Sequence, residues 1–230
     1  MSHAAEIKVM SSSAMKAAYL ELVPGFERAT GHKVVTSWIP GVDLMKRVSE
    51  GEACDLVIMQ ASSIDELIKL GRIAPGSRVD LAKSGVGIAV RAGATRPDIS
   101  SADALRRTLL AAKSLAYSTG PSGVYVLGLF QRMGILDELK ARSRQIKGEP
   151  VGAVVARGEA EIGFQQVSEL LPVLGIDMIG PLPPDIQQIT VFSAGLHAAA
   201  KEPAAATALA RFITAPAAAA VIRKTGLEPV

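Results

Sequence analysis

The spacing of apolar residues changes period repeatedly along the chain. Residues 7–10 form a short apolar run that reads as a strand, and Ser11-Ser12-Ser13 ends it. Met15, Tyr19, Leu22 and Phe26 then recur at intervals of three or four, as on the buried face of a helix, and Thr30-Gly31 supplies the stop. Residues 33–38 are strand-like again, and Ile39-Pro40-Gly41 breaks them. Asp43 is placed to cap a helix through Leu44 and Val48 that ends at Gly51. Residues 55–59 are nearly continuous in apolar side chains, as in a strand covered on both faces. Ser63-Ile64-Asp65-Glu66 spells a capping box for a helix that ends before Gly71.

The pattern restarts after Gly85. Residues 85–91 form a longer strand-like run, and residues 101–112 read as a helix. A short strand over residues 114–117 feeds Ser118-Thr119-Gly120-Pro121, and a helix begins near Ser122, with Val124, Leu127, Phe130 and Met133 on one face and Gly134 as its stop. A short helix over 136–141 follows, and Pro150 opens another that runs to Arg157 and stops at Gly158. Residues 161–166 form a strand ending in Gln165 and Gln166. A short strand over 176–179, a proline-rich turn and a second long strand over 188–195 come next. Two Ala-rich helices, with Pro203 and Pro216 in their first turns, close the chain, and Leu209, Phe212, Ile213, Val221 and Ile222 make them amphipathic.

Short strands joined by helical crossovers fold as a parallel sheet with helices on its faces. The repeated half predicts an α/β protein of two α/β lobes joined by two crossing strands. Lobe one is residues 1–85 plus 196–230, and lobe two is residues 86–195. Ligands of such sheets sit at the carboxyl ends of the strands, so the expected site is a cleft between the lobes that closes by hinge motion.

Those strand ends name the candidate ligand-binding residues. They are Ser11, Ser12 and Ser13 after the first strand, Trp38 and Gly41 after the second, and Met59 and Gln60 after the third. The second lobe adds Ser118, Ser122, Gly123 and Val124, then Gln165 and Gln166. None of these side chains is charged. Several are neutral hydrogen-bond donors beside helix starts, where unpaired amides and the positive end of the helix dipole suit an anion. A serine-rich turn before a helix also serves as a plain cap. Convergence of several such turns is what points beyond capping.

Composition removes other classes. The net charge of +3 is weak and its Lys and Arg are evenly spread, and aromatic residues make up only 4%, so neither a basic footprint nor a stacking platform for nucleic acid is present. Cys54 stands alone, which excludes an intramolecular disulfide and a cysteine-based metal site, and it reads as a small buried hydrophobe. No run of about 18 apolar residues is present to span a membrane. No Walker loop, dinucleotide fingerprint, paired-histidine metal motif or nucleophile elbow occurs, so no metal or cofactor is expected. His3 is terminal, while His32 and His197 read as structural.

Ile7-Lys8-Val9-Met10-Ser11-Ser12-Ser13, the segment 26–34 and the segment 50–58 resemble the start of type II periplasmic solute-binding proteins of the molybdate-binding branch. Tyr117–Tyr125, residues 157–163, Phe212-Ile213 and Gly226-Leu227 fall where that family has counterparts, so the resemblance spans nearly the whole chain. It implies two α/β lobes with an oxyanion held between them by serine hydroxyls and backbone amides. It also implies a role as the solute-binding component of an ABC-type importer, with a permease as partner and a monomeric chain. The family's first-loop serine falls on Ala14, just after Ser11–Ser13, its second-loop serine near Pro40-Gly41, its second-lobe small residue on Ser122 and its late tyrosine on Gln166. Two side-chain donors of the molybdate pattern are thereby replaced.

Residues 149–170, with Tyr117-Ser118 and Ser122–Tyr125, are also similar to a branch of the same superfamily that includes aconitate isomerase. That branch implies proton shift and double-bond isomerisation of a small tricarboxylate. Such chemistry needs a general base near the carbon acid. Asp43, Glu149 and Glu169 are the nearest acids in sequence, with Asp43 read as a helix cap and Glu169 as solvated. The missing base places binding ahead of isomerisation. Compartment divides the readings the other way. The family implies the periplasm, whereas residues 1–6 have neither the basic nor the apolar segment of a secretory signal, which leaves the cytoplasm open.

Overall fold

The computed structural model describes residues 4–230, so His3 lies outside the described residues. The chain divides into two compact units, Met1–Ser84 with Val191–Val230, and Gly85–Thr190. Each is an α/β unit.

In the first unit, β1 (Glu6–Ser11) lies between β2 (Lys33–Trp38) and β3 (Leu56–Gln60), parallel to both. Ser11 stands in register with Trp38 on one side and Ile58 on the other, so β1 and β2 end level while β3 runs on to Gln60. α1 (Lys16–Thr30) follows β1 after a 3-10 turn over Ser13–Met15. α2 (Gly41–Ser49) follows β2, and α3 (Ala61–Lys69) follows β3 without a loop. Alternate residues of the strands feed two apolar layers. Ile7, Val9, Leu56 and Ile58 pack with Met15, Tyr19, Leu22 and Phe26 on one face. Met10, Val57 and Met59 pack with Leu44, Val48, Ile64 and Leu67 on the other. Gly31, with φ 75°, adopts the left-handed conformation that ends α1.

β4 (Val79–Arg91) carries the chain from the first unit into the second. There α4 (Ala102–Ala111), β5 (Leu115–Ser118), α5 (Pro121–Arg132), α6 (Leu136–Lys140) and β6 (Ser143–Ile146) follow in order. Then come α7 (Val151–Ala156), β7 (Ile162–Gln166), α8 (Val167–Leu170) and β8 (Ile176–Pro181). β5 pairs in parallel with β6 and β7, and β4 pairs antiparallel with β7 and β8. Leu115, Ile162 and Phe164 face Leu129 and Phe130. Ala116 packs with Val151, Val154 and Val155 on the other side.

β9 (Ile189–Leu196) returns the chain to the first unit and pairs antiparallel with β3. α9 (Pro203–Thr214), α10 (Ala219–Lys224) and the short β10 (Glu228–Pro229) complete it, with β10 paired to β4. The two crossing strands inferred from the pattern are thus β4 and β9. No single helix among the described residues is long and apolar enough to cross a membrane.

Three local expectations need correction. α3 starts at Ala61 with Gln60 at its N-cap, so Ser63–Glu66 lies inside the helix rather than at its mouth. β3 runs straight into α3, and the helix therefore begins at the strand end. α2 starts at Gly41 with Pro40 as N-cap, which puts Asp43 within the first turn. β6 and β10 lie outside every element read from the pattern. In β6 only Ile146 is buried, and such a polar segment has no apolar period to detect.

Candidate functional site

In the first unit, the hydroxyls after β1 have different fates. Ser11 is fully buried, and its Oγ donates to the Ser12 carbonyl at 2.9 Å. The Ser12 amide donates to the Ile58 carbonyl at 2.9 Å, which fixes the backbone between β1 and β3. Ser12 occupies the N-cap of the following turn, yet its side chain caps nothing. Its Oγ is buried and has no hydrogen-bond partner. Ser13 is exposed and opens the turn. Level with this point, α2 begins at Gly41, and its N-cap Pro40 provides no side-chain cap.

The other first-unit candidates are engaged. The Gln60 amide donates to Ser63 Oγ at 2.9 Å. Met59 is 2% exposed and belongs to the apolar layer under α2 and α3. Trp38 packs edge-on against Tyr19, with ring centroids 5.3 Å apart, and Lys16 Nζ lies 5.4 Å from its ring centroid.

The second unit builds a tighter turn. Ser118 ends β5, and its Oγ lies 3.0 Å from Ser122 Oγ and accepts the Gly120 amide at 3.2 Å. Both serines are almost wholly buried. A Cβ on Gly123 would stand 1.7 Å from the Ser118 carbonyl oxygen, so the first turn of α5 sits directly against the end of β5 only because residue 123 is glycine. Val124, the next residue, is 66% exposed.

β7 ends beside β5, with Tyr117 in register with Phe164, so Ser118 and Gln165 are adjacent strand ends. Gln165 Oε1 accepts the Val151 amide at 2.9 Å, and Gln166 Nε2 donates to Thr190 Oγ1 at 3.2 Å. Glu169 lies in the next turn. Its sequence context reads as solvated, but its half-buried carboxyl accepts hydrogen bonds from the Gln165 side chain and the Gln166 amide. Burial pushes its pKa up to about 7, against the opposing effect of those two donors. The signal for Glu169 was its position three residues after the N-cap Gln166, among Val167 and Leu170.

The other titratable groups weighed from the sequence have partners within the protein. His32 Nδ1 accepts the Ala5 amide, and its ring lies on Phe26. His197 is 4% exposed, accepts the Ala199 amide at Nδ1, and burial lowers its pKa. Glu149 pairs with Arg157 on the surface. Cys54 is buried and its thiol is pushed up to about 12, so it is inert. No group of three or more His, Cys, Asp or Glu able to hold a metal exists among the described residues.

Residues 7–228 match the family model described as bacterial extracellular solute-binding protein. The chain is 42% identical over 230 residues to an aconitate isomerase of Pseudomonas sp., covering 97% of this chain and 88% of that protein. It is 27% identical over 235 residues to the molybdate-binding protein ModA of Azotobacter vinelandii, covering 97% and 90% respectively. Among solved structures, the periplasmic molybdate-binding protein of Azotobacter vinelandii superposes with a TM-score of 0.80 at 22% identity, covering 96% of this chain and 98% of that one.

Proposed function

The chain belongs to the bacterial extracellular solute-binding protein family, and we propose from that premise that it binds a small anion, an oxyanion or a small carboxylate, through neutral donors at its strand ends. One observation carries this reading. Ser12 Oγ is buried and unpartnered at the carboxyl end of β1, level with the uncapped start of α2. A buried hydroxyl without a partner in the protein is costly, and in this reading a ligand oxygen accepts its hydrogen bond. Amides at helix starts and hydroxyls satisfy an anion without a counter-charge, and charge-assisted bonds of this kind are the stronger ones. In this reading the protein serves an ABC-type importer, with a permease as its partner.

The test is Ser12→Ala. Its hydroxyl bonds to nothing in the protein, so thermal stability stays within error of the parent. Calorimetric affinity for the bound anion falls about tenfold or more, as for loss of a hydrogen bond to a charged group. A panel of molybdate, sulfate, citrate and the two aconitate isomers identifies the class. Absence of heat with every member overturns the reading.

A second reading shares the same donors. The relative at 42% identity is an aconitate isomerase, and the molybdate binder stands at 27% over a similar span. Ala14 and Gln166 stand where the molybdate-binding pattern has side-chain donors. Both features favour a tricarboxylate over molybdate, and with it isomerisation on the same scaffold. Incubation with cis-aconitate, followed by NMR for the trans isomer, separates converting from holding.

A further inference from the structure

We propose that Glu169 is the group that takes and returns the allylic proton of a small unsaturated tricarboxylate held at the strand-end edge of the second unit; this rests on the isomerase reading above. Of the acids nearest in sequence, Glu169 has its carboxyl bonded to the Gln165 side chain and the Gln166 amide at the end of β7. Glu169 follows β7 by one helical turn, and β7 pairs with β5, whose end carries Ser118 and the glycine-tightened start of α5. Glu169 thus follows the strand that lies beside the one ending in Ser118.

Its surroundings are unusual for a carboxyl that serves only as a cap. α8 packs against α7 and β7, and neither of these two elements contains an acidic, basic or histidine residue. The facing part of β4, residues 85–90, has none either. The charged residues that flank these elements are taken up elsewhere: Glu149 and Arg157, on either side of α7, pair with each other, and Glu161, just before β7, accepts the Lys113 amide. Among the described residues no cation forms an ion pair with Glu169. Two neutral donors orient it, the Gln165 side chain and the Gln166 amide. Gln165 is itself fixed by the Val151 amide at 2.9 Å, so β7 and α7 together aim the carboxyl. With a pKa of about 7 it exists in both protonation states near neutrality, as an acid-base catalyst requires.

The step balances without a co-reactant. The Glu169 carboxylate removes a proton from the methylene carbon, so a C–H bond breaks and an O–H bond forms. The electron pair spreads over the allylic system and its conjugated carboxylate. The neutral donors of the site stabilise that charge. Glu169 then returns the proton to the other allylic carbon and the double bond shifts, and the conformation about the methylene bond at deprotonation decides which geometric isomer forms.

The test compares the parent, Glu169→Gln and Glu169→Asp in the full chain. Conversion of cis-aconitate is followed by NMR from pH 5 to pH 9, and binding of trans-aconitate by calorimetry. Glutamine keeps the bond to the Gln166 amide, so a role limited to capping leaves turnover within about threefold, and that result overturns the proposal. The expected result is that Glu169→Gln turns over slower by about two orders of magnitude or more, with binding changed only a few-fold. The parent rate rises with pH through a limb near 7. Glu169→Asp retains part of the rate with that limb displaced, which keeps the test decisive if the glutamine variant folds poorly. A parent that binds aconitate without converting it overturns the isomerase reading itself and this role with it. A parent that converts, beside a fully active glutamine variant, overturns only the role of Glu169.

Discussion

Ser11 and Ser12 are adjacent and chemically identical, yet one hydroxyl is spent on the backbone and the other is left without a partner. A strand sends neighbouring side chains to opposite faces, and the chain leaves the strand between these two. The same contrast separates Ser12 from Ser122, whose hydroxyl pairs with Ser118 inside the protein. Ser122→Ala therefore weakens anion binding and loosens the turn together, whereas Ser12→Ala acts on binding alone. Gly123→Ala is harsher. Its methyl group would overlap the Ser118 carbonyl, so α5 must back away from β5, at a cost of about 3 kcal/mol or more. A denaturant titration measures that loss. Glu169 adds a pH signature to stability. Its folded pKa is raised from 4.5 to about 7, so the folded state holds its proton more tightly than the unfolded chain. The associated stability is complete below about pH 4 and is lost as pH rises through 7. Glu169→Gln carries no such dependence. Melting curves of parent and variant should separate above pH 7, with the variant the more stable there.

At the level of elements, Asp55 joins what the chain order keeps apart. It precedes β3, is 3% exposed, and accepts the Lys8 amide from β1 and the Lys201 and Glu202 amides at the start of α9. α9 has no side-chain cap of its own, so Asp55 supplies one from about 150 residues away in sequence. Asp55→Ala strands three amides, and a loss of about 2–4 kcal/mol in a urea titration is the expected cost. Sequence patterning cannot foresee such a bond. The βα order was legible, because Ile7, Val9, Leu56 and Ile58 alternate onto one layer while Met15, Tyr19, Leu22 and Phe26 follow the helical period onto it. Helix stops at Gly31, Gly134 and Gly158 were legible because each needs a positive φ. The first turns of α2 and α3 were not, since Asp43 and Ser63 carry the residue types of caps while the helices start earlier, at the strand ends. The serine and glutamine positions were legible as strand ends. Which of them are already spent on internal bonds depends on partners distant in sequence, such as Val151 for Gln165 and Thr190 for Gln166. Glu169 escaped although its two hydrogen-bond partners, Gln165 and Gln166, are local. Nothing local to it announces that three neighbouring elements leave it without a counter-charge.

For the molecule as a whole, ligand binding must appear as stability, because a ligand that binds only the folded state shifts unfolding by mass action. At a concentration about 100 times its Kd, an anion adds about 2.7 kcal/mol. In a chain of 230 residues that corresponds to a rise of about 5–10 °C in Tm. Two compact units need not unfold in one step. A calorimetric scan therefore reads more than a single midpoint, since an anion raises the transition of every unit that contributes donors to it. Ser12 belongs to the first unit, and Ser118, Ser122 and Glu169 to the second. An effective anion should raise the transition assigned to the first unit, and Ser12→Ala should abolish most of that rise. A tricarboxylate engaged as the isomerase reading requires should raise the transition of the second unit as well, and Ser122→Ala should reduce that second rise. Chloride at equal ionic strength serves as the control, because general screening shifts all anions alike. A scan in which molybdate, sulfate, citrate and both aconitates move the midpoints no further than chloride would remove the anion from the account of this fold.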